Sequence, residues 1–222
     1  ALTDLSAALC LAISNGALGD PISKSEHKAM KAEIAAKFKT DEAACKSMTD
    51  NAKDICVEEA KGREWVGKAE LEEQFRPSAK HRYGVRLAKA DAVYAVAKEK
   101  CDDVAGNAKD VCMKEAKAQH VTAKADAKLA EKTADANATA RETTSDANAT
   151  ARVTTADAKA TARETTADAK ATARETTAEA RKDAATDKRN AAYAVAKEKC
   201  DALGEDARVT CVKDAKARYG QS

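Results

Sequence analysis

Along most of this chain the apolar positions recur at the three- and four-residue spacing of a helix, and Ala fills the majority of them. The first clear start is Ser23-Lys24-Ser25-Glu26, a capping box that predicts a helix from near residue 24 to about residue 47. A second helix is expected after Asp50 or Asn51, running to about Phe75. Arg76-Pro77-Ser78 interrupts the pattern, and Ser78 is placed to cap a third helix that runs to about Val104, with Gly84 as a weak point. Gly106-Asn107 then turns the chain. From Ala108 to Leu203 there is neither Gly nor Pro. One straight helix over that stretch would be roughly 145 Å long at 1.5 Å per residue. A short helix from about residue 207 closes the chain.

The pattern within 133–187 is stricter. Five tandem 11-residue units read TADANATARET, TSDANATARVT, TADAKATARET, TADAKATARET and the divergent TAEARKDAATD. Eleven residues make almost three helical turns, so each position returns to nearly the same face. On that wheel Ala158 and Ala162 share one stripe, flanked by Thr155, Thr161 and Thr165. Lys159 and Arg163 form a basic stripe, and Glu164 and Asp168 form a separate acidic one. Like charges therefore stand four apart, and the repeat forgoes the usual stabilising i,i+4 ion pairs. Two readings stand side by side. Segregated stripes can complement a neighbouring antiparallel or staggered helix. Alternatively, the segment is a solvated single helix of weak cohesion, or is partly disordered until crowded or bound, a reading favoured by the poor helix propensity of Thr.

Composition narrows the class. Of 222 residues 44% count as hydrophobic, but 55 of them are Ala, and aromatics are only 3%. A β-sandwich needs β-branched and aromatic residues with frequent turns, and a doubly wound enzyme needs apolar parallel strands and Gly-rich loops. Neither fits 8 Gly and 2 Pro. The expected fold is all-α, with elongated helices, three disulfide-clasped αα-hairpins and an 11-residue-repeat helix.

The hairpins come from the cysteines. Six of the seven form three C-x10-C pairs: Cys45/Cys56, Cys101/Cys112 and Cys200/Cys211. A turn signal sits midway in each, at Asp50-Asn51, Gly106-Asn107 and Gly204-Glu205-Asp206. Two helices joined by such a turn set residues equidistant from it opposite each other, as a disulfide requires. Paired thiols imply an oxidising compartment. Zinc sites favour C-x2–4-C with His nearby, whereas His27, His81 and His120 are scattered, so no metal is expected. The pairs also mark a repeat. Ala92-Val93-Tyr94-Ala95-Val96-Ala97-Lys98-Glu99-Lys100-Cys101-Asp102 recurs almost unchanged at 191–201. Tyr94 and Tyr193 stand seven residues before their cysteines, as Phe38 does before Cys45. Seven residues are two helical turns, so each aromatic shares a face with its cysteine and is expected to pack across its hairpin.

The seventh cysteine, Cys10, lies in a different kind of segment. Residues 1–19 hold the apolar run Ala7-Ala8-Leu9-Cys10-Leu11-Ala12-Ile13 and a single charge, Asp4. The run is too short to span a bilayer. Small residues at Ala17 and Gly19 fit signal-peptidase cleavage after Gly19, which predicts a periplasmic or secreted protein. The expected division is a signal peptide remnant at 1–19, hairpins at 20–76 and 77–130, the 11-residue-repeat helix at 131–187 and a hairpin at 188–222.

The chain carries no G-x-S-x-G, P-loop, H-E-x-x-H or G-x-G-x-x-G motif. It is read as a non-enzyme with no cofactor and no small-molecule substrate. The net charge of +2, with basic residues alternating with acidic ones, argues against nucleic-acid binding. The expected partners are a second copy, a partner helix or an anionic membrane surface.

Two resemblances add to this reading. The units Tyr-Ala-Val-Ala-Lys-Glu-Lys-Cys-Asp and Asn-Ala-Lys-Asp-Val-Cys resemble a group of small uncharacterised proteobacterial cell-envelope proteins, sometimes labelled TolA-like for their Ala/Lys-rich helices. That resemblance, over about 20–130 and 188–222, implies the periplasm and assigns no activity. The central units resemble group 3 late embryogenesis abundant proteins, which implies protection of membranes or proteins under water stress. They are also similar to type I antifreeze helices in the recurrence of Thr133, Thr144, Thr155, Thr166 and Thr177, although the charges beside them depart from that pattern. The expected function is a non-enzymatic structural or stress-protective role in the cell envelope. The alternative is a binding module that uses the long amphipathic helix.

Overall fold

The structure is a computed structural model that describes residues 21–153 and 156–221. The expected cleavage site and Cys10 lie outside the described residues. Among the described residues six helices follow in order: α1 (Lys24–Cys45), α2 (Asp50–Phe75), α3 (Ala79–Cys101), α4 (Gly106–Val153), α5 (Ala156–Cys200) and α6 (Glu205–Tyr219). The described residues contain no strand.

The caps explain where the helices begin. Ser23 Oγ accepts from the Glu26 N–H at 3.2 Å, and the Ser23 N–H donates to the Glu26 carboxylate at 2.9 Å. The Ser23 hydroxyl and backbone N–H together hold the Glu26 carboxyl below the usual carboxylate range. At α3, Ser78 Oγ accepts from the His81 N–H at 3.0 Å. The cysteines explain where helices end. α1, α3 and α5 each stop at the first cysteine of a pair rather than two or three residues later, because the bridged turn draws the backbone out of the helix. Five residues after Cys45 and Cys101 stand Asp50 and Gly106, with φ of 51° and 58°. The same repeat position is left-handed in both turns, and Gly fills it in one, where no Cβ opposes that conformation.

All three expected bridges are formed: Cys45–Cys56 joins α1 to α2, Cys101–Cys112 joins α3 to α4, and Cys200–Cys211 joins α5 to α6. In each the Cα atoms are 5.6 Å apart. The two cysteines of a pair are not equivalent. Cys45, Cys101 and Cys200, at the helix ends, are fully or almost fully buried. Their partners Cys56, Cys112 and Cys211, inside the returning helices, are only half-buried. Each bridge closes a loop of about 12 residues, worth roughly 3 kcal/mol in the chain-entropy account. The aromatic expectation holds for two hairpins. Tyr94 stacks on His120 of α4, centroids 4.5 Å apart, and Tyr193 meets Tyr219 of α6 at 6.4 Å. In the first hairpin the cross-helix pair is His27 on Phe75, at 4.4 Å, near the open end.

Among the described residues each helix packs only on its neighbours in sequence. The fold is therefore an up-and-down row of helices, one layer deep, with the three bridged turns along one edge. Asn51 links two of those turns, donating from its side-chain amide to the Glu99 carbonyl and the Asp103 carboxylate, each at 2.7 Å. Within the row, Arg63 reaches Asp41 at 2.9 Å between α2 and α1, and with Lys37 it holds the Asp41 carboxyl below its ordinary range. Lys89 pairs with Glu70 at 2.7 Å between α3 and α2. Lys199 and Glu115 meet at 2.5 Å, and Lys188 bonds Asp126, which fixes α5 antiparallel to α4.

One expectation is corrected here. The stretch from Ala108 to Leu203 is not one rod of roughly 145 Å. It is two helices of 48 and 45 residues, α4 ending at Val153 and α5 beginning at Ala156, that pack on each other antiparallel. A lone helix would leave its Ala stripe in water, and the fold-back buries it. α4 and α5 also run unbroken through 130/131 and 187/188, so the repeat is an extension of two hairpin helices.

Gly62 marks a close approach of α2 and α3, since a Cβ there would stand 2.8 Å from the Ala92 Cβ of α3. Gly62→Ala is expected to lower stability by about 1–3 kcal/mol through forced separation of α2 and α3. Gly84→Ala, facing open space, should raise stability by about 0.5–1 kcal/mol through helix propensity. Thermal melts followed by circular dichroism separate the two.

Candidate functional site

The part of the chain that departs from the repeated hairpin is the outer half of α4 and α5. α3 begins at Ala79, and the Lys128 ammonium of α4 lies 5.3 Å over the ring of Tyr83 in its first turns. Past Lys132 the α4 helix has, among the described residues, only α5 beside it, and the pair extends by about 32 Å at 1.5 Å per residue. This arm is built from the first four 11-residue units. α4 ends within unit two and α5 begins within unit three, and unit two lies against unit three and unit one against unit four.

The seam is the stripe the repeat prescribes. Ala147 on α4 and Ala162, Ala173, Ala180 and Ala184 on α5 are buried. They occupy the fourth and eighth positions of the unit. A methyl at each contact lets the backbones approach closely, and each buried methyl contributes roughly 0.8 kcal/mol. Thr143, Thr165 and Thr176 at the eleventh position turn their hydroxyls back to the carbonyls four residues earlier, at 2.9 Å, 2.9 Å and 3.0 Å. Their polar atoms are satisfied inside their own helix. Thr166 Oγ1 is the exception, buried with no hydrogen-bond partner.

The antiparallel fold-back sorts the charges. One groove between the helices is lined by Asn148 and Arg152 of α4 and by Lys159 and Arg163 of α5, with Ala149 and Ala162 at its floor. The other is lined by Asp135 and Thr139 of α4 and by Asp168 and Thr172 of α5, with Lys132 at its base. The fifth and ninth positions of both helices thus share one face, and the third and seventh share the other. The cause is the symmetry of an antiparallel pair made from one repeat, whose two-fold axis crosses the seam and maps each face onto itself. The arm is a plate with a basic face and an acidic, Thr-rich face. The like-charge stripes do not neutralise each other across the seam.

In the body, the strongest side-chain cluster joins α3 to α4. His120 is nine-tenths buried, its Nε2 is 2.6 Å from the Asp91 carboxylate, and its ring is nearly parallel to Tyr94 at 6°. Its Nδ1 is buried with no hydrogen-bond partner. Lys117 and Lys98 lie 5.4 Å and 5.9 Å over the same Tyr94 ring. A second feature is the open groove between α2 and α3, floored by Val66, Ala92 and Val96, with Val93 strongly exposed on its rim. Among the described residues no three His, Cys, Asp or Glu side chains converge as metal ligands, and no helix is long and apolar enough to cross a membrane.

No protein family model, curated protein or solved structure matches this chain. The residues singled out in the sequence, the six cysteines, do not gather into one site. Cys45 meets only Cys56, Cys101 only Cys112, and Cys200 only Cys211. With every sulfur in a bridge, Cys56, Cys112 and Cys211 offer no thiol to solvent despite their partial exposure, and all six are staples along one edge of the layer. The two-faced arm and the His120–Asp91–Tyr94 cluster were not identified in sequence. The repeat phase carried a signal for the first. His120 carried none, because its partner stands 29 residues away.

At the seam, Thr166→Val keeps the shape and removes the unpaired hydroxyl, so it should stabilise the arm by about 1 kcal/mol. Ala162→Leu should overpack the seam and cost about 1–3 kcal/mol. Amide hydrogen exchange over 136–180 reads both effects, with opposite signs.

Proposed function

We propose that this protein is a non-enzymatic structural element of an oxidising, extracytoplasmic compartment, in which a disulfide-stapled helical layer holds out a two-helix arm as a spacer. The observation that carries this reading is the arm itself. The 11-residue units fold back on themselves and project by about 32 Å beyond α3. Three bridged pairs fit such a compartment, where disulfides form and persist. The expected export signal at 1–19 and the resemblance to proteobacterial envelope proteins favour the periplasm within that class. The design suits a spacer in two ways. The staples lie at the edge away from the arm, where they oppose splaying of the row. The arm carries its charges outward and its methyls inward, so it is helical without needing a partner to cover an apolar stripe.

A spacer and a dehydration-induced protectant differ in one measurable respect. A spacer has its helices formed in dilute buffer. Hydrogen exchange of the full chain at neutral pH and low concentration is expected to show protected amides at 136–151 and 158–184. Protection there that appears only on drying or in a dehydrating cosolvent would contradict the spacer reading and favour stress-induced folding.

A further inference from the structure

We propose that arms of separate copies stack on one another, the basic face of one against the acidic face of the next. The inference rests on the spacer reading and names its partner, a second copy of this chain.

Three observations carry it. First, the arm's charges form no ion pair among the described residues. Ion pairs are frequent in the body and at the α4–α5 contact below the arm, yet among the described residues none involves a side chain of 133–187. Arg152, Lys159 and Arg163 are all exposed on one face, and Asp135 and Asp168 on the other. Second, the two faces match. Residues 133–176 hold six basic and seven acidic side chains. Both sets recur every 11 residues, about 16.5 Å along a helix, so a face laid on the opposite face of another copy meets charges at its own period. Third, the faces are low. Ala and Thr fill the ground between the charges and leave no bulky side chain to hold two arms apart. The basic face likewise presents no large apolar residue to anchor it in a bilayer, which makes a lipid surface the poorer fit.

Basic-on-acidic stacking is heterologous: the surface used by one copy differs from the one used by its neighbour, and each addition exposes a fresh face. Association is then open-ended. It is built from many exposed ion pairs, each weak and screened by salt.

Sedimentation velocity on the full, oxidised chain tests this. In about 0.01 M salt the screening length is roughly 30 Å, and in about 1 M salt it is roughly 3 Å. The weight-average mass is expected to rise with protein concentration at low salt and to return to that of one chain at high salt. A triple variant, Arg152→Glu with Lys159→Glu and Arg163→Glu, turns the centre of the basic face acidic and should stay monomeric. A second triple variant, Asp146→Lys with Asp157→Lys and Glu164→Lys, turns the acidic side basic over the same units and should stay monomeric alone. An equal mixture of the two should associate at low salt. A single-chain mass for the wild type at low salt overturns the proposal, as does association that survives 1 M salt or persists in either variant. Binding of the monomeric wild type to phosphatidylglycerol vesicles, lost in the first variant, would also overturn it and assign the basic face to membranes. An arm protected from exchange but monomeric removes the stacking and leaves the spacer reading standing.

Discussion

The described structure depends on one constraint: each of its helices touches only its neighbours in sequence among the described residues. A single row of helices has no interior. Burial is confined to the seams between adjacent helices, and no side chain is enclosed on all sides by distant parts of the chain. The seams must therefore be strong pairwise. Three devices make them so: a disulfide at the turn, an aromatic pair farther along, and small residues that allow close approach. Ala suits such a layer because a seam between two helices has room for methyl groups and not for a deep core. The high Ala and low aromatic content is what a one-layer fold requires.

The disulfides and the arm are two answers to this constraint. In the body, each staple removes conformations from the unfolded chain and offsets a thin seam. The arm has no staple. It relies on the regularity of the 11-residue unit, which keeps Ala on the seam with less drift per residue than a seven-residue repeat would impose on a straight helix. The same regularity fixes where the charges go. Once α5 packs antiparallel on α4, both basic stripes must lie on one face and both acidic stripes on the other.

Much of this was legible in the sequence. Ser23, Ser78 and Pro77 set helix ends, since caps and proline act locally. The spacing of Cys45 to Cys56, repeated at Cys101 to Cys112 and Cys200 to Cys211, gave the hairpins because a turn of fixed length leaves little choice of geometry. Tyr94 and Tyr193 were placed across their hairpins by the same two-turn offset. The unequal burial within each bridge was not legible, since the spacing is symmetric about the turn and burial depends on which helix end the neighbouring residues cover. The fold-back of α5 onto α4 was hidden too, because no Gly or Pro marks it and every unit reads as helix-compatible. The choice between a rod and a hairpin is made by burial of the Ala stripe, a tertiary effect that local propensity does not report. The contact of His120 with Asp91 and Tyr94, and the approach of Gly62 to Ala92, were hidden for the same reason. Each depends on the register of two helices.

The fold-back is the claim on which the arm, its two faces and the spacer reading all depend. Small-angle X-ray scattering of the oxidised chain from Asp20 onward, in enough salt to keep it monomeric, tests it directly. With helices about 10 Å apart and α4 as the longest element, the account predicts a maximum dimension of about 90 Å. A maximum dimension of roughly 145 Å or more, the length of one unbroken helix from Ala108 to Leu203, would contradict it.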